Sequence, residues 1–210
     1  MLETQLYMGQ NRIGMYSPDR IRPVQNYFVK PYGGLWTSTY DMEFKSRWVQ
    51  FCETDATILA PESGEWAGYL ITPRRDARII TIDTYEDLER LTAKYPFDPY
   101  HGALPGFMNN QYLDFESIAK EYDGIHLTHA GQWRTRLSNP LNLYGWDVES
   151  TLWFRDCFHK MMPIRFKSSI TKQKHAKLVD DMNNFTSREN MEKVNTEFEK
   201  LLFEALGIKP

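Results

Sequence analysis

Cysteine is scarce in this chain of 210 residues, which contains only Cys52 and Cys157, far apart in the sequence. Two distant cysteines exclude a disulfide-rich scaffold. We expect free thiols in a reducing compartment, with a single disulfide as the alternative. Long apolar runs are also missing, and a membrane-spanning helix needs about 20 apolar residues. The N-terminal segment lacks a signal-peptide pattern. These absences predict a cytoplasmic protein without a membrane partner.

An excess of charge of one sign is missing too. The formal net charge is -3, which gives no strong field to attract nucleic acid or an anionic membrane. Basic residues do gather in RFKSSITKQKHAK, residues 165–177, and Arg134 and Arg136 lie beside Trp133. Arginines next to an aromatic ring suit single-stranded nucleic acid or a pyrophosphate, and a solvated basic face is the alternative.

Several catalytic signatures are absent or incomplete. The chain has neither the Gly-x-x-x-x-Gly-Lys phosphate loop nor the Gly-x-Ser-x-Gly elbow of serine hydrolases. His126 and His129 would point to opposite faces of a strand, with no further metal ligand at a suitable spacing. Cys157 and His159 would share a strand face, but nothing nearby predicts an oxyanion hole. We therefore expect neither a metal site nor a cysteine nucleophile.

Apolar residues make up 41% of the chain and aromatic residues 14%, enough for a core and for an aromatic groove. The residue pattern predicts an α+β fold, in which strands are separated by short helices. Strands are expected in residues 4–16, 33–40, 65–73, 77–84, 123–128 and 143–154. Helices are expected after Asp41, after Asp83 or Thr84, and after Asp114, since each of these residues can cap a helix.

Two parts of the chain differ from this pattern. Residues 96–113 are rich in Pro, Gly and Asn, and a connection of this length predicts a lid or a binding loop. Residues 161–210 are polar and loosely helical, and Thr186 and Glu189 form a capping box before an apolar stripe. We therefore divide the chain into a domain of residues 1–160 and a helical C-terminal extension that packs on it or binds a partner protein.

A pair of carboxylates stands among aromatic residues in GWDVESTLW, residues 145–153. Asp147 and Glu149 are two positions apart, so on a strand they would share one face. Carboxylates between aromatic side chains cost free energy unless they face a cleft, a cation or a ligand. One hypothesis is a carboxylate that binds a ligand hydroxyl or stabilises a developing cation. The alternative is a solvated face, or an ion pair with Arg134, Arg136 or Arg155.

The stretch KPYGGLWTSTY, residues 30–40, combines a flexible backbone with a large aromatic residue and a run of hydroxyls. Its paired glycines permit the backbone to approach a ligand closely. Trp36 offers a flat face for a planar ring, and Ser38 shares its side of a strand. A hairpin strand with one polar face is the alternative.

These segments, in this order, resemble the ADP-ribosyltransferase superfamily. LYMGQ, GGLWTSTY and the Asp-x-Glu segment are similar to its three dispersed motifs, which lie on a split β-sheet that clamps NAD. Thr37, Ser38 and Thr39 match the second motif. Glu149 matches the glutamate of the third motif, and Asp147 takes the leading position, where the family has Gln or Glu.

The first motif departs from the family pattern. Met8 stands before Gly9, where family members have His or Arg, and Gln10 or Arg12 is the expected substitute for that contact. The resemblance rests on short motifs within residues 5–155 and does not extend to the C-terminal segment.

The resemblance implies an enzyme that transfers ADP-ribose from NAD to a protein or nucleic-acid acceptor, of the kind found among bacterial or phage effectors and toxins. Glu149 would hold the ribose 2′-hydroxyl and stabilise the oxocarbenium ion, and Asp147 would orient or deprotonate the acceptor. Trp36 or Tyr40 would stack on the nicotinamide. Contacts to NAD or to Glu149 are also expected from Gly34, Thr37 and Ser38.

Two other classes of function stay open from the residues. The first is a non-catalytic binding or assembly protein of a phage or mobile element, in which the tryptophans form core and the C-terminal helix docks a partner. The second is a nucleic-acid-processing enzyme that uses Asp147 and Glu149 with a divalent metal.

Overall fold

The computed structural model describes residues 2–8, 21–55, 59–61, 63–99, 112–170 and 177 of the chain. Within these residues the protein is α+β, as the sequence predicts, with one eight-stranded sheet, one two-stranded ribbon and four helices. The strands are β1 (Gln5–Met8), β2 (Arg22–Gln25), β3 (Tyr32–Thr39), β4 (Glu65–Pro73), β5 (Ile79–Ile82), β6 (Pro96–Phe97), β7 (Tyr112–Leu113), β8 (Gly124–Leu127), β9 (Ser150–Trp153) and β10 (Phe158–Lys167). The helices are α1 (Arg47–Thr54), α2 (Tyr85–Lys94), α3 (Phe115–Glu121) and α4 (His129–Thr135).

The large sheet has the strand order β10-β4-β1-β3-β9-β8-β5, with β2 paired to β3. Strands β5 and β8 are parallel, and the other pairs are antiparallel. The pairing of β1 with β3 covers only Gln5↔Thr39 and Leu6↔Ser38. Beyond Leu6, β1 continues along β4 as far as Met8. The two central strands therefore diverge and leave a wedge in the middle of the sheet.

The two faces of the sheet carry different side chains. On one face, here called the Trp146 face, Trp36 packs against Trp146 with ring centroids 4.6 Å apart. Helices α2 and α3 cover this face with Leu88, Phe115 and Ile118. The opposite face is here called the Trp153 face, because Trp153 projects from it. Its apolar cluster contains Tyr7, Leu35, Ile71, Trp153 and Cys157.

The helices near the predicted caps begin where a side chain accepts a backbone hydrogen bond. Helix α2 is capped by Thr84, which forms a capping box with Asp87, and α3 is capped by Asp114, as the sequence predicts. The helix after Asp41 was predicted too early. Asp41 accepts from the N–H groups of residues 43 and 44 in a tight turn, and α1 is capped by Ser46. Local turn hydrogen bonds compete with helix formation at Asp, which explains the shift.

Strand predictions succeeded best where a segment is long and apolar. Strand β4 has the predicted bounds, 65–73. Strands β4 and β5 follow each other in the sequence but do not pair with each other. Strand β4 pairs with β1 and β10, and β5 pairs with β8. The predicted strand in 143–154 is reduced to β9, because residues 143–149 form turns and irregular backbone before it.

Strand β10 corrects the predicted domain boundary. It runs from Phe158 to Lys167 along the whole of β4, so residues 161–167 belong to the sheet rather than to a helical extension. No clear strand pattern is present in the sequence here, because half-buried and exposed positions do not alternate regularly in β10 and Pro163 lies within it. The strand lies at the edge of the sheet. An edge strand also accommodates Pro163. The predicted C-terminal helix after Thr186 lies outside the described residues.

Among the described helices, none has the length and apolar character that crossing a membrane requires. Both cysteines are buried and unpaired, as the sequence predicts.

Candidate functional site

Glu149 is a buried carboxylate at the start of β9. Its exposed fraction is 5%, and it directly precedes the first residue of the strand. Asp147 and Glu149 therefore do not share a strand face, which corrects the predicted arrangement. The backbone before Ser150 is irregular, so the two carboxylates have separate environments.

Three donors from β3 bind the Glu149 carboxylate. The Ser38 hydroxyl donates to Oε2 at 2.7 Å, and the Thr39 hydroxyl donates to Oε1 at 2.8 Å. The Thr39 backbone N–H lies 3.1 Å from Oε2 and 3.2 Å from Oε1. Hydrogen bonds to an ionised acceptor are stronger than neutral ones, and they compensate for the burial of the charge.

The ends of β3 and β9 explain how one carboxylate meets donors from both faces of the sheet. The last pair of these strands is Thr37↔Thr151, so Glu149 lies just beyond the ladder. Ser38 belongs to the Trp146 face and Thr39 to the Trp153 face, because successive strand residues alternate. The Glu149 side chain fills the gap at the end of the ladder and contacts both.

A row of polar side chains extends from Glu149 across the Trp153 face. The Gln5 amide N–H donates to Thr39 at 3.1 Å, and the Gln5 carbonyl oxygen accepts from Thr37 at 3.0 Å and from Thr151 at 2.9 Å. The Trp153 indole N–H donates to Thr37 at 2.9 Å. These five side chains form a connected polar network, which the Thr39 hydroxyl extends to Glu149 and the Gln5 amide extends to the backbone carbonyl of residue 3.

His126 joins the same network from β8. Its Nδ1 atom lies 2.9 Å from the Thr151 hydroxyl and 3.7 Å from Oε1 of Glu149. Thr151 has a single hydroxyl proton and donates it to Gln5, so the hydrogen-bond pattern assigns the proton between the ring and Thr151 to Nδ1. Burial lowers the pKa of His126, opposed by the nearby Glu149 charge, which favours the neutral ring. The second ring nitrogen, Nε2, is then a proton acceptor.

The wedge between β1 and β3 contains a cavity of about 390 Å³, here called the wedge cavity. It is lined by residues 6–8 of β1, residues 34–38 of β3, and Lys30, Trp48, Trp146, Asp147, Val148 and Ser150. Ser38 and the two neighbours of Glu149 in the sequence belong to this lining. Oε2 of Glu149 thus lies behind the wall of the cavity, at one hydrogen bond from its surface.

Charged groups meet over the aromatic wall of the wedge cavity. The Lys30 ammonium lies 5.0 Å from the centre of the Trp36 ring and 3.9 Å from a carboxylate oxygen of Asp147. Arg136 lies 3.9 Å from the other oxygen of Asp147. Burial lowers the pKa of Lys30, and Asp147 partly opposes that effect. Asp147 therefore has the ion pair with Arg136 that the sequence left as the alternative.

The remaining residues that were predicted to contact NAD lie partly at the wedge cavity and partly in the core. Gly34 and Thr37 line the wedge cavity, but Gly34 also has tight packing on its strand partner, since a Cβ atom there would lie 2.3 Å from Leu152. Tyr40 packs in the cluster beneath α1. Gln10 and Arg12 lie outside the described residues, whereas Met8 lines the wedge cavity.

Sequence reasoning missed Lys30, Gln5 and His126 as parts of this region. Lys30 begins the stretch KPYGGLWTSTY, and the presence of a cation in the same stretch as Trp36 was the available signal. Gln5 and His126 gave no local signal, because their partners come from other strands. No group of three or more potential metal ligands occurs in the part of the chain that the structure describes.

The chain was compared with models of known protein families, with characterised proteins and with solved structures, and none of the three comparisons found a match.

Proposed function

We propose that the protein is an NAD-dependent ADP-ribosyltransferase whose wedge cavity binds NAD and whose Glu149 stabilises the ribosyl cation. The observation that carries the proposal is the hydrogen-bonded contact of Ser38 and Thr39 with Glu149 at the edge of that cavity. These are the hydroxyl and carboxylate motifs on which the resemblance rests, and 110 or 111 residues separate them in the sequence.

The arrangement of the strands supports the same function. The resemblance places its three motifs on a first strand, a second strand and a later strand. Here β1, β3 and β9 contain or directly follow those segments, and they are neighbours in the sheet. The wedge opens between the first two of them, where a split sheet would clamp a ligand.

The chemistry needs a carboxylate beside a developing positive charge. When the bond between the ribose C1′ and the nicotinamide nitrogen breaks, its electron pair leaves with neutral nicotinamide, and the ribose becomes an oxocarbenium ion. A buried carboxylate acts strongly on such a charge because little water screens it. Ser38 and Thr39 keep the Glu149 side chain in one orientation, which is the role of a preorganised site.

Other residues of the cavity have matching roles. Trp36 supplies an aromatic wall for the nicotinamide, and Lys30 lies close to that wall. Met8 stands where the first motif of the family has a His or Arg. Lys30 supplies a cation to the same cavity, where it can contact the NAD pyrophosphate. Asp147 is held by Lys30 and Arg136, and it orients these cations rather than acting as a free base.

The test is release of nicotinamide from labelled NAD, measured with and without cell extract as a source of macromolecular acceptor. We expect Glu149→Gln to lower the rate by a factor on the order of 10² or more, as removal of a main electrostatic group does. Glu53→Gln is the matched control. Glu53 is also a carboxylate that accepts several hydrogen bonds, from Trp66 and Ser168 among others, and it does not line the wedge cavity. A wild-type protein that neither binds NAD nor releases nicotinamide would rule the function out.

A non-catalytic binding protein is the second candidate. Trp133, in the last turn of α4, and Leu137, two residues beyond the end of this helix, are exposed by 75% and 79%. Large apolar side chains exposed in one short segment can be covered by a partner. A protein of this kind would retain its interaction when Glu149 is replaced and lose it in a Trp133→Ala variant.

A further inference from the structure

A second cavity, of about 340 Å³, lies on the Trp153 face of the sheet. We call it the arginine cavity, because two adjacent arginines form part of its wall. Its volume is within the range of about 300–1,000 Å³ that is common for small-molecule sites. The polar residues of its lining are Glu3, Thr39, Arg74, Arg75, Thr81 and His126.

The arginine cavity is separate from the wedge cavity. Thr39 and His126, which line the arginine cavity, lie beside Oε1 of Glu149. Ser38, which lines the wedge cavity, binds the other oxygen, Oε2. The Glu149 side chain and its donors therefore stand between the two cavities, and a molecule in one is kept apart from a molecule in the other. We therefore consider the arginine cavity as a binding site that takes no part in the transfer of ADP-ribose.

The arginine cavity follows β5 from the turn before this strand towards its end. Arg75 lies in the turn between β4 and β5, and Ile79 and Thr81 are alternate residues of β5 on the Trp153 face. His126 pairs with Thr81 from the neighbouring strand β8. Since a strand rises about 3.3 Å per residue, Thr81 lies about 7 Å beyond Ile79 along β5. The arginines therefore enter the cavity at one end, and Thr81 and His126 lie towards the other.

The arginine end of the cavity favours an anionic group. Arg74 is paired with Asp76 at 3.2 Å. The Arg75 side chain, in contrast, has neither an ion pair nor a hydrogen bond with any residue that the structure describes. An arginine fork matches two oxygens of a phosphate group in parallel hydrogen bonds. The unused guanidinium of Arg75, with the charge of Arg74 beside it, therefore suits a phosphate group.

The other end of the cavity offers neutral hydrogen-bonding groups. The Nδ1–H of His126 is directed to Thr151, so Nε2 is a hydrogen-bond acceptor. Within the described part of the chain, no group binds Nε2 or the Thr81 hydroxyl. Nε2 is also not among the buried polar atoms that lack a partner, so it faces accessible space, which the arginine cavity provides. Hydroxyl groups of a ligand can donate to Nε2 and exchange hydrogen bonds with Thr81.

The remaining lining favours a ligand that is more than a bare anion. Ala77 and Ile79 supply apolar contact for the body of a ligand. Glu3 is exposed and is the acidic member of the lining. Its carboxylate repels an isolated phosphate ion but accepts hydrogen bonds from hydroxyl groups. The lining as a whole therefore matches a molecule that carries both a phosphate and hydroxyls.

We propose that the arginine cavity is a binding site for a sugar phosphate, with the phosphate at Arg74 and Arg75 and the sugar hydroxyls at Thr81 and His126. The ligand is held by non-covalent contacts alone. The inference does not depend on the function proposed for the wedge cavity.

The site is tested by NMR titration with glucose 6-phosphate as the probe, and with glucose and inorganic phosphate as its two halves. We expect the wild type to bind glucose 6-phosphate more tightly than inorganic phosphate, and to show no measurable binding of glucose. Glucose 6-phosphate should shift the ring signals of His126. The signals of His129, an exposed residue of α4 outside the cavity lining, should stay unchanged.

Two substitutions test the two ends of the cavity. Arg75→Ala should weaken the binding of glucose 6-phosphate and of inorganic phosphate about tenfold, as expected for one charged hydrogen-bonding partner. Thr81→Val should weaken the binding of glucose 6-phosphate about threefold and leave that of inorganic phosphate unchanged, because the hydroxyl lies at the sugar end. Both side chains are exposed, so neither substitution leaves a void in the core. Arg90→Ala, at an exposed position of α2 outside the lining, is the control and should bind both probes as the wild type does.

A third substitution distinguishes the arginine cavity from the wedge cavity. Lys30→Met removes the cation of the wedge cavity and keeps an apolar stem, and it should retain the binding of glucose 6-phosphate. Absence of binding by the wild type, equal binding by Arg75→Ala, or loss of binding in Lys30→Met would overturn the site. Equal losses for both probes in Thr81→Val would overturn the position of the sugar. These results are independent of nicotinamide release, which tests the function of the wedge cavity.

Discussion

The hydroxyl oxygen of Ser38 lies 2.7 Å from Oε2 of Glu149, although 111 residues separate them in the sequence. Ser38 lines the wedge cavity, and Glu149 lies behind it with an exposed fraction of 5%. This bond joins the surface of the cavity to a buried charge. A substitution that removes this bond should therefore change both the proposed ligand site and the free energy of unfolding.

Replacing Ser38 by alanine should lower the stability of the protein and the proposed release of nicotinamide from NAD. The variant loses one donor to a buried carboxylate, which costs about 2 kcal/mol of unfolding free energy. Ser150→Ala is the matched control for stability. Its hydroxyl donates to the neutral carbonyl of Val148, and we expect a loss of about 1 kcal/mol or less. Urea unfolding measures both values, and equal losses in the two variants would contradict a charge-assisted bond.

Gly34→Ala should destabilise the protein more than Gly64→Ala. Both glycines have positive φ, 64° and 73°, so both substitutions carry the backbone cost of about 1–2 kcal/mol. A Cβ at Gly34 would also lie 2.3 Å from Leu152 and 2.9 Å from the Trp153 carbonyl, whereas at Gly64 the nearest atom is 4.0 Å away. Thermal unfolding of the two variants separates the steric cost from the backbone cost. A smaller effect at Gly34 would mean that β3 and β9 are not packed as described.

The pKa of His126 predicts how stability depends on pH. Burial lowers this pKa below its ordinary value of 6.5, so the folded protein binds a proton less readily than the unfolded chain. The stabilising contribution of the neutral ring is fully present above pH 6.5 and is lost as the pH falls through the folded pKa. We expect the wild type to lose unfolding free energy in this range, and His126→Gln to lose less. His129→Gln, at an exposed position, should behave as the wild type does, and identical pH curves for all three proteins would contradict the prediction.

The two thiols provide a simple test of the packing. Burial raises the pKa of Cys52 to about 12, and burial also raises the pKa of Cys157. Little reactive thiolate is therefore present at neutral pH. A colorimetric thiol reagent should label neither cysteine in the folded protein and both in denaturant. Rapid labelling under native conditions would show that the apolar cluster around the labelled cysteine is open to solvent, beneath α1 for Cys52 or on the Trp153 face for Cys157.

The sequence predicted the regular elements better than the site. Strand β4 and helices α2 and α3 have strong local signals, an apolar run in the first and side-chain caps in the others. Strand β10 was missed because Pro163 lies within it and its half-buried positions do not alternate regularly with exposed ones. Similarly, Asp41 and Ser46 both resemble helix caps in sequence, and only the turn hydrogen bonds of Asp41 distinguish them.

The candidate site depended on contacts between distant segments. The hydroxyl run at 37–39 and the glutamate at 149 were singled out from the residues, but their distance follows from the pairing of β3 with β9. Asp147 was expected beside Glu149 and lies instead with Lys30 and Arg136. A period-two argument requires a continuous strand, and β9 begins only at Ser150.

The short pairing of β1 with β3 has a consequence for how this region can be recognised in other chains. Where two strands separate, main-chain N–H and C=O groups along their facing edges can bind a ligand in place of the missing partner strand. Such groups are the same for every residue type except proline. Surfaces of this kind can therefore persist while the side chains around them change, and a search by residue identity would pass over them.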